Sequence, residues 1–212
     1  MKFLRAISRV VIGLTFLLSG FVKIIDPVGV GLIFEEYFKA AGVGELHALA
    51  LFAGVALSTA EMLLGITILA GIRMKYSASA ALFFISFFTV LTLILAIFNP
   101  VNDCGCFGEA IKLTNWETFY KNIVLLLFAV LLFLQRERYI PVAPPAWEWS
   151  FAAVFTTGIL LLSIYSYRHL PMIDFMEFKS GTNIIERLNF ANNPERPQFE
   201  TTLIYSKNGK SY

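Results

Sequence analysis

Long apolar runs separated by short polar segments dominate the chain. Four of the runs lie at residues 10–25, 49–70, 77–98 and 116–134, and a fifth ends near residue 167. A helix needs roughly 20 apolar residues to cross a bilayer. The pattern therefore predicts an all-α integral membrane protein, with a four-helix transmembrane bundle and a fifth transmembrane helix.

The segment between the first two runs has a different pattern. Phe34, Tyr37 and Phe38 recur at helical spacing, with Glu35 on the other side. This spacing predicts a short amphipathic helix over residues 29–41 that lies in the membrane interface.

Local signals place the later boundaries. Thr114 and Glu117 have the spacing of a capping box that opens the fourth span, and Glu117 is also spaced to pair with Lys121. Trp147 and Trp149 form an aromatic belt at the start of the fifth span.

These signals predict three regions: residues 1–138, 139–167 and 168–212. The first is the four-helix domain, the second is a proline-rich linker with the fifth helix, and the third is a polar tail. In the tail, residues 201–205 are typical of a strand, and Asn208 with Gly209 is typical of a tight hairpin. The chain ends where the return strand is expected, which suggests the start of a further domain.

Composition agrees with the membrane prediction. Hydrophobic residues make up 57% of the 212 positions and charged residues only 15%, which is too apolar for a soluble globular domain. The net charge of +2 is too small to indicate nucleic acid. The first run lacks a small-residue cleavage site, so we expect it to remain as a span. Nothing in the sequence assigns an oligomeric state.

Basic residues alternate between the two sides of the predicted bundle. Seven fall on the side of the N-terminus and four on the other side before the tail. The first set is Lys2, Arg5, Arg9, Arg73, Lys75, Arg136 and Arg138, and the second is Lys23, Lys39, Lys112 and Lys121. The richer side is expected to be cytoplasmic. The prediction is a bacterial inner-membrane protein whose polar loop at residues 99–115 and tail are extracytoplasmic, in an oxidising space.

That loop holds the two cysteines of the chain, Cys104 and Cys106, with Gly105 between them. The glycine gives the backbone the freedom to bring the sulfurs together. As a structural staple so small a ring would contribute roughly 1.6 kcal/mol, and an exposed, strained disulfide is of the exchangeable kind. A redox role is therefore favoured over a staple, and Cys104 and Cys106 are the candidate catalytic residues.

A metal site is the remaining alternative for the cysteine pair. Asp103 and the two sulfurs could ligate a soft ion such as Cu(I), although His47 and His169 are remote in sequence. Asp103 and Glu109 flank the pair, and negative charge disfavours a thiolate. We therefore expect neither cysteine to be a low-pKa nucleophile, and we assign no metal.

Glu61 lies near the centre of the second span, where a lone charged carboxylate costs several kcal/mol. One interpretation is a proton or quinone site inside the bundle. The other is a protonated carboxyl bonded to a neighbouring helix, with Ser19, Thr15 or Ser86 as partner. Lys23 is predicted to lie too close to the membrane surface to reach it.

Three segments carry a family resemblance. They are Leu17-Leu-Ser-Gly-Phe-Val-Lys-Ile-Ile-Asp-Pro27, Ala60-Glu-Met-Leu-Leu-Gly-Ile-Thr-Ile-Leu-Ala-Gly71 and Asp103-Cys-Gly-Cys-Phe-Gly108. Over residues 1–135 the chain resembles the DoxX/MauE-like membrane proteins, a four-helix family, and the cysteine motif favours the MauE branch. That branch is associated with disulfide formation in the maturation of methylamine dehydrogenase. The resemblance thus implies a thiol–disulfide role for Cys104 and Cys106, although nothing in the sequence indicates methylamine metabolism.

The leading hypothesis is disulfide exchange with an extracytoplasmic partner, which must supply a second cysteine pair. The partner is a thiol protein or a thioredoxin-like domain of the kind that some longer relatives carry. A quinone held near Glu61 is a candidate electron acceptor. The alternatives are a non-enzymatic membrane subunit or scaffold that docks a partner through its tail, and a small-solute or ion transporter that uses Glu61.

Overall fold

The computed structural model describes residues 2–44, 46–99, 101, 104–106, 108, 113–139 and 147–169, and two short strands. The helices are α1 (Lys2–Ile25), α2 (Pro27–Ala40), α3 (His47–Ala70), α4 (Met74–Phe98), α5 (Asn115–Leu134) and α6 (Glu148–Arg168). All except α2 are long and apolar enough to cross a membrane, which confirms the five predicted spans. The helix α1 begins eight residues before the predicted span because its basic first turns are helical too.

Helices α1 and α3 form a close antiparallel pair. A Cβ atom added to Gly65 of α3 would lie 2.4 Å from the backbone nitrogen of Leu17, and one added to Gly20 of α1 would lie 2.5 Å from that of Met62. These glycines were not predicted from the sequence to be contact residues. They let the two backbones approach without intervening side chains, which fixes the depth of each helix against the other.

Because of this pairing, the N-terminal part of α3 extends past the C-terminal end of α1. Gly20 is five residues from the end of α1, about 8 Å, whereas Met62 is fifteen residues from the start of α3, about 22 Å. Helix α2 fills the space beside this projecting part. Its N-cap is Asp26, which accepts a hydrogen bond from the backbone nitrogen of Gly29 at 2.9 Å.

The prediction that α2 lies in the interface with Glu35 on its polar side was wrong for that residue. Glu35 is buried, and its carboxylate contacts the imidazole of His47 at the start of α3. The buried side of α2 includes Val30 and Ile33, which face α3 and the cysteine loop. Because α2 packs against protein, hydrophobic spacing alone could not identify its buried side.

Helices α4 and α5 form the second pair. The predicted capping box is confirmed: the side chain of Thr114 accepts a hydrogen bond from the backbone nitrogen of Glu117, whose carboxylate bonds back to Thr114. Asn122 joins the pair by donating to the carbonyl of Phe88 and the hydroxyl of Thr92. A tightly packed apolar core occupies the half of the bundle away from the cysteines. Its buried members are Ile12, Phe16, Ile68, Met74, Ala78, Ala81, Ile85, Ala129 and Leu132.

Arginines gather at that same end of the bundle. Arg9 donates to the carbonyls of Ile68 and Leu69 at the C-terminus of α3, where a cation also interacts favourably with the helix dipole. Arg73 pairs with Glu148 at 2.9 Å and lies over the ring of Trp149. These contacts place the N-terminus of α1, the α3–α4 turn and the start of α6 at one end.

Residues Glu177–Tyr212, in the tail, form a second compact unit. Strands β1 (Ser206–Lys207) and β2 (Lys210–Ser211) pair antiparallel, so the ladder flanks the predicted Asn208-Gly209 turn. The return strand therefore forms within the chain, contrary to the expectation that the chain ends before it. The predicted strand at residues 201–205 lies outside the described residues, and the three-region division stays a prediction.

Candidate functional site

The cysteine loop connects α4 to α5 and is anchored from its α5 side by Asn115. The amide of Asn115 donates to the side-chain oxygen of Asn99 at 2.9 Å and to the carbonyl of Val101 at 2.8 Å. Asn99 has a left-handed backbone with φ of 46°, a conformation that asparagine adopts more readily than most residues.

The loop folds back over α1 and α2. The hydroxyl of Tyr37 on α2 donates to the carbonyl of Cys104 at 3.1 Å, and the hydroxyl of Ser19 on α1 lies 2.6 Å from the carbonyl of Cys106. Between them, Gly105 has a φ of +65°, and a Cβ there would lie 2.7 Å from the side chain of Ile33. Glycine thus meets both the backbone and the packing requirement.

The two sulfurs lie close together at the end of this fold. Their Sγ atoms are 2.8 Å apart, and both cysteines are free thiols in the structure. Cys104 is buried with 6% of its surface exposed, and Cys106 is partly exposed. The predicted convergence of the sulfurs is therefore present, and Cys106 is the more accessible of the two.

The electrostatics distinguish the two thiols. A hydrogen bond from the Cys104 thiol lowers the pKa of Cys106 from about 9 to about 7, and the nearby cations of Lys121 and Lys23 act in the same direction. The same hydrogen bond, together with burial, raises the pKa of Cys104 well above its ordinary range. The expectation that neither cysteine is a low-pKa nucleophile was therefore wrong for Cys106.

The error came first from the hydrogen bond of Cys104, whose geometry the sequence does not give, and then from charges that are distant in sequence. Lys23 lies on α1 and Lys121 lies on α5, and only the fold brings them to the loop. Glu117, which was predicted to pair with Lys121, instead directs its carboxylate to the capping box at Thr114. Asp103 and Glu109, on which the expectation depended, lie outside the described residues.

Alkylation kinetics should reveal this low pKa. We expect the rate at Cys106 to rise with pH through a midpoint near 7, because only the thiolate reacts. Substituting Lys121→Met should raise that midpoint, since it removes a cation that favours the thiolate. The measurement is mass-spectrometric alkylation at each cysteine across the pH range.

The matched control is Lys75→Met, because Lys75 is exposed in the first turn of α4, at the other end of the bundle. It should leave the midpoint in place. A wild-type midpoint near the ordinary value of about 9 would contradict the assigned pKa.

Glu61 lies beneath the cysteine loop as half of a buried ion pair. The ammonium of Lys23 is 2.9 and 2.8 Å from the two carboxylate oxygens, and Ser19 Oγ lies 2.8 Å from one of them. Lys23 and Glu61 are 3% and 5% exposed. The predicted contact with Ser19 is confirmed, whereas the hydroxyl of Thr15 donates to the carbonyl of Val11 on its own helix.

The prediction that Lys23 could not reach Glu61 was wrong because it assumed that α1 and α3 end at one level. The contact between Gly20 and Met62 sets Glu61 beside the last turns of α1. A lysine side chain near the end of α1 points back toward the helix N-terminus and so extends inward. The glycines that set this depth were visible in the sequence, but their pairing was not.

Ser19 connects the ion pair to the loop. Its hydroxyl lies within hydrogen-bond distance of Glu61, of the carbonyl of Cys106 and, at 3.2 Å, of the Lys23 ammonium. A hydroxyl has one proton to donate, so it donates to one of the two oxygens at a time and accepts from Lys23. The backbone that holds the reactive cysteine is thus linked directly to the buried charges.

The metal alternative gains no ligand set from the described residues. Among them, no three His, Cys, Asp or Glu side chains are grouped to hold an ion, and Asp103 lies outside them. His47 contacts Glu35, and His169 stacks on Tyr165.

These features define a multi-pass membrane protein with a thiol pair over a buried lysine–glutamate pair. Residues 1–135 match the family model described as methylamine utilisation protein MauE, and the chain therefore belongs to the MauE family. No curated protein and no solved structure matches the chain. The family match agrees with the resemblance found in the sequence.

Proposed function

We propose that this chain is a thiol–disulfide exchange protein of the bacterial inner membrane, with Cys104 and Cys106 as its redox pair. The observation that carries the proposal is the pair itself: two sulfurs 2.8 Å apart, one of them partly exposed with its pKa lowered to about 7. Such a lowered pKa is a property of exchanging cysteines, whereas inert structural cysteines are buried in apolar surroundings.

The exchange partner is an extracytoplasmic thiol protein or a thioredoxin-like domain. The arginine-rich end of the bundle supports this orientation, because basic residues favour the cytoplasmic side. Two of the four lysines assigned to the opposite side, Lys23 and Lys121, line the cavity beneath the loop. Because these two side chains line a cavity, they add less to the basic charge of that side. The difference in basic charge between the two sides is therefore greater than the sequence count of seven to four.

The greater exposure of Cys106 selects it as the sulfur that is attacked, and its lowered pKa makes it a good leaving group in the second step. A partner thiolate attacks Cys106 Sγ in the oxidised pair, the bond between the two cysteines breaks, and Cys104 leaves and takes up a proton. A second partner cysteine then attacks its own sulfur of the mixed disulfide and releases Cys106 as a thiolate. Two electrons pass from the partner dithiol to this chain, which holds them as one thiol and one thiolate.

Trapping the mixed disulfide tests this function. In a Cys104→Ser variant a lone Cys106 thiolate still attacks an oxidised partner, and this chain has no second thiol to resolve the adduct. Only the partner's own second cysteine can then release it, and an acid quench stops that release. We expect a reductant-sensitive adduct in intact cells, seen on non-reducing gels and identified by mass spectrometry.

The matched variant is Cys106→Ser, which keeps only the buried thiol of Cys104 and should give several-fold less adduct. The variant lacking both cysteines gives the background. Absence of an adduct from Cys104→Ser, or equal adducts from both single variants, would contradict the proposed function.

A further inference from the structure

A cavity of about 530 Å³ lies directly beneath the cysteine loop. It is lined by residues of the cysteine loop and of all five helices from α1 to α5. This volume is within the range of small-molecule sites. The apolar core of the bundle occupies the other half, away from the redox pair.

The cavity has a polar end and an apolar body. Both sulfurs, Lys23 and Glu61 line the polar end, together with Lys121 from α5. The body is lined by aromatic and aliphatic side chains, including Phe16, Phe34, Phe84, Phe88, Leu57 and Leu91. A fitting ligand is therefore a flat or slender apolar molecule that carries hydrogen-bonding oxygens at one end.

The wall of the cavity reaches the lipid-facing surface between α3 and α4. Ala56 of α3 is exposed, and Phe87 of α4 has 56% of its surface exposed, yet both line the cavity. A ligand dissolved in the bilayer can thus enter from the side without passing through water.

The electron balance of the proposed function selects among such ligands. Each exchange leaves two electrons on the cysteine pair, and a further cycle requires an acceptor of two electrons and two protons. Resting on the proposed function, we propose that the cavity binds a membrane quinone, which reoxidises Cys104 and Cys106. A quinone has the aromatic body, the two carbonyl oxygens and the lipid solubility that this cavity matches.

The step balances without another reactant besides protons. The Cys106 thiolate and the Cys104 thiol form a sulfur–sulfur bond and give up two electrons and the Cys104 proton. The quinone takes up the two electrons, that proton and one more, and becomes the hydroquinone. Lys23 lines the polar end, where its positive charge favours the negative charge that develops on a quinone carbonyl.

The test uses the full-length protein, reduced and desalted without oxygen, in nanodiscs. The probe is decyl-ubiquinone, whose fully substituted ring does not add thiols. Hydroquinone formation and the loss of free thiols are followed together, and we expect one hydroquinone for each cysteine pair oxidised. Substituting Ala56→Phe, which adds a ring at the lipid-side wall of the cavity, should slow both by about tenfold or more, since small displacements of reacting groups carry large rate penalties.

The matched control is Ala153→Phe, the same substitution at an exposed position of α6 that does not line the cavity. It should keep the wild-type rate. The Ala56→Phe variant should still form the mixed disulfide in the Cys104→Ser background, which shows that it folds and separates the quinone step from disulfide exchange.

Two results would overturn the inference. One is oxidation by quinone at the same rate in wild type and Ala56→Phe, because the reaction would then take place outside the cavity. The other is labelling of the cavity residues by a photoreactive fatty acid when added quinone does not reduce the labelling. That result would show that an acyl chain, and not a quinone, occupies the cavity. Failure of quinone oxidation with successful adduct trapping would refute this inference and leave the proposed function in place.

Discussion

Replacing Lys23 with methionine is expected to lower the free energy of unfolding by about 3–5 kcal/mol. The reason is that Glu61 would lose its cation while remaining 5% exposed among apolar helices. Glu61→Met should be similarly damaging, because it leaves the lysine as an uncompensated buried charge. The measurement is denaturant or SDS unfolding of the purified protein in mixed micelles.

The double variant, Lys23→Met with Glu61→Met, gives the sharper result. With both charges replaced by apolar side chains, stability should return to within about 1 kcal/mol of wild type or exceed it. If the ion pair acts in the reaction with quinone and does not stabilise the fold, this stable variant should lose quinone-driven oxidation of the thiols. Single variants as stable as wild type would contradict the buried ion pair, and a double variant as unstable as the singles would show that more than charge is lost.

Gly65→Ala is the second substitution with a large expected effect. The new Cβ would lie 2.4 Å from the backbone nitrogen of Leu17 and 2.9 Å from the carbonyl oxygen of Gly13. Backbone atoms cannot rotate aside, so α1 and α3 must separate. We expect a loss of about 2–3 kcal/mol, the cost typical of overpacking, and a reduced contact between Lys23 and Glu61. Thermal unfolding reports the stability loss.

Gly158→Ala provides a control with the same change of residue. Gly158 lies within α6, and a Cβ there meets nothing within 4 Å. Alanine is the better helix former, so this variant should be neutral or more stable by up to about 1 kcal/mol. Equal losses from both glycine substitutions would indicate a general effect of bulk and would contradict the close pairing of α1 with α3.

Gly65 and Gly158 show what could not be predicted from the sequence. Both lie in apolar runs that were correctly predicted to be helical, and both are followed by isoleucine. Gly65 faces a neighbouring backbone and Gly158 faces open space. That difference depends on which helices pair and at what depth, which a hydrophobicity pattern does not encode.

The candidate site shows the same division. The loop with its two cysteines, the flexible residue between them and the buried glutamate were all recognisable from residue type and position. Cys106 acquires its low pKa from Cys104 and from cations on α1 and α5. Charges adjacent in sequence gave the opposite expectation, because the electrostatic environment of a side chain is set by distance in space.

The sequence by itself determined the five spans, the capping box at Thr114 and the membrane character of the protein, because these follow from local hydrophobicity and local hydrogen bonding. It also carried the cysteine motif. Only the tertiary structure decided that Lys23 meets Glu61, that Cys106 is the activated thiol and that a cavity lies below it. The ion pair and the cavity depend on helices brought together over long sequence separations, at depths set by backbone contacts between α1 and α3. The activation of Cys106 depends first on the loop geometry that brings Cys104 to it, and then on cations from α1 and α5.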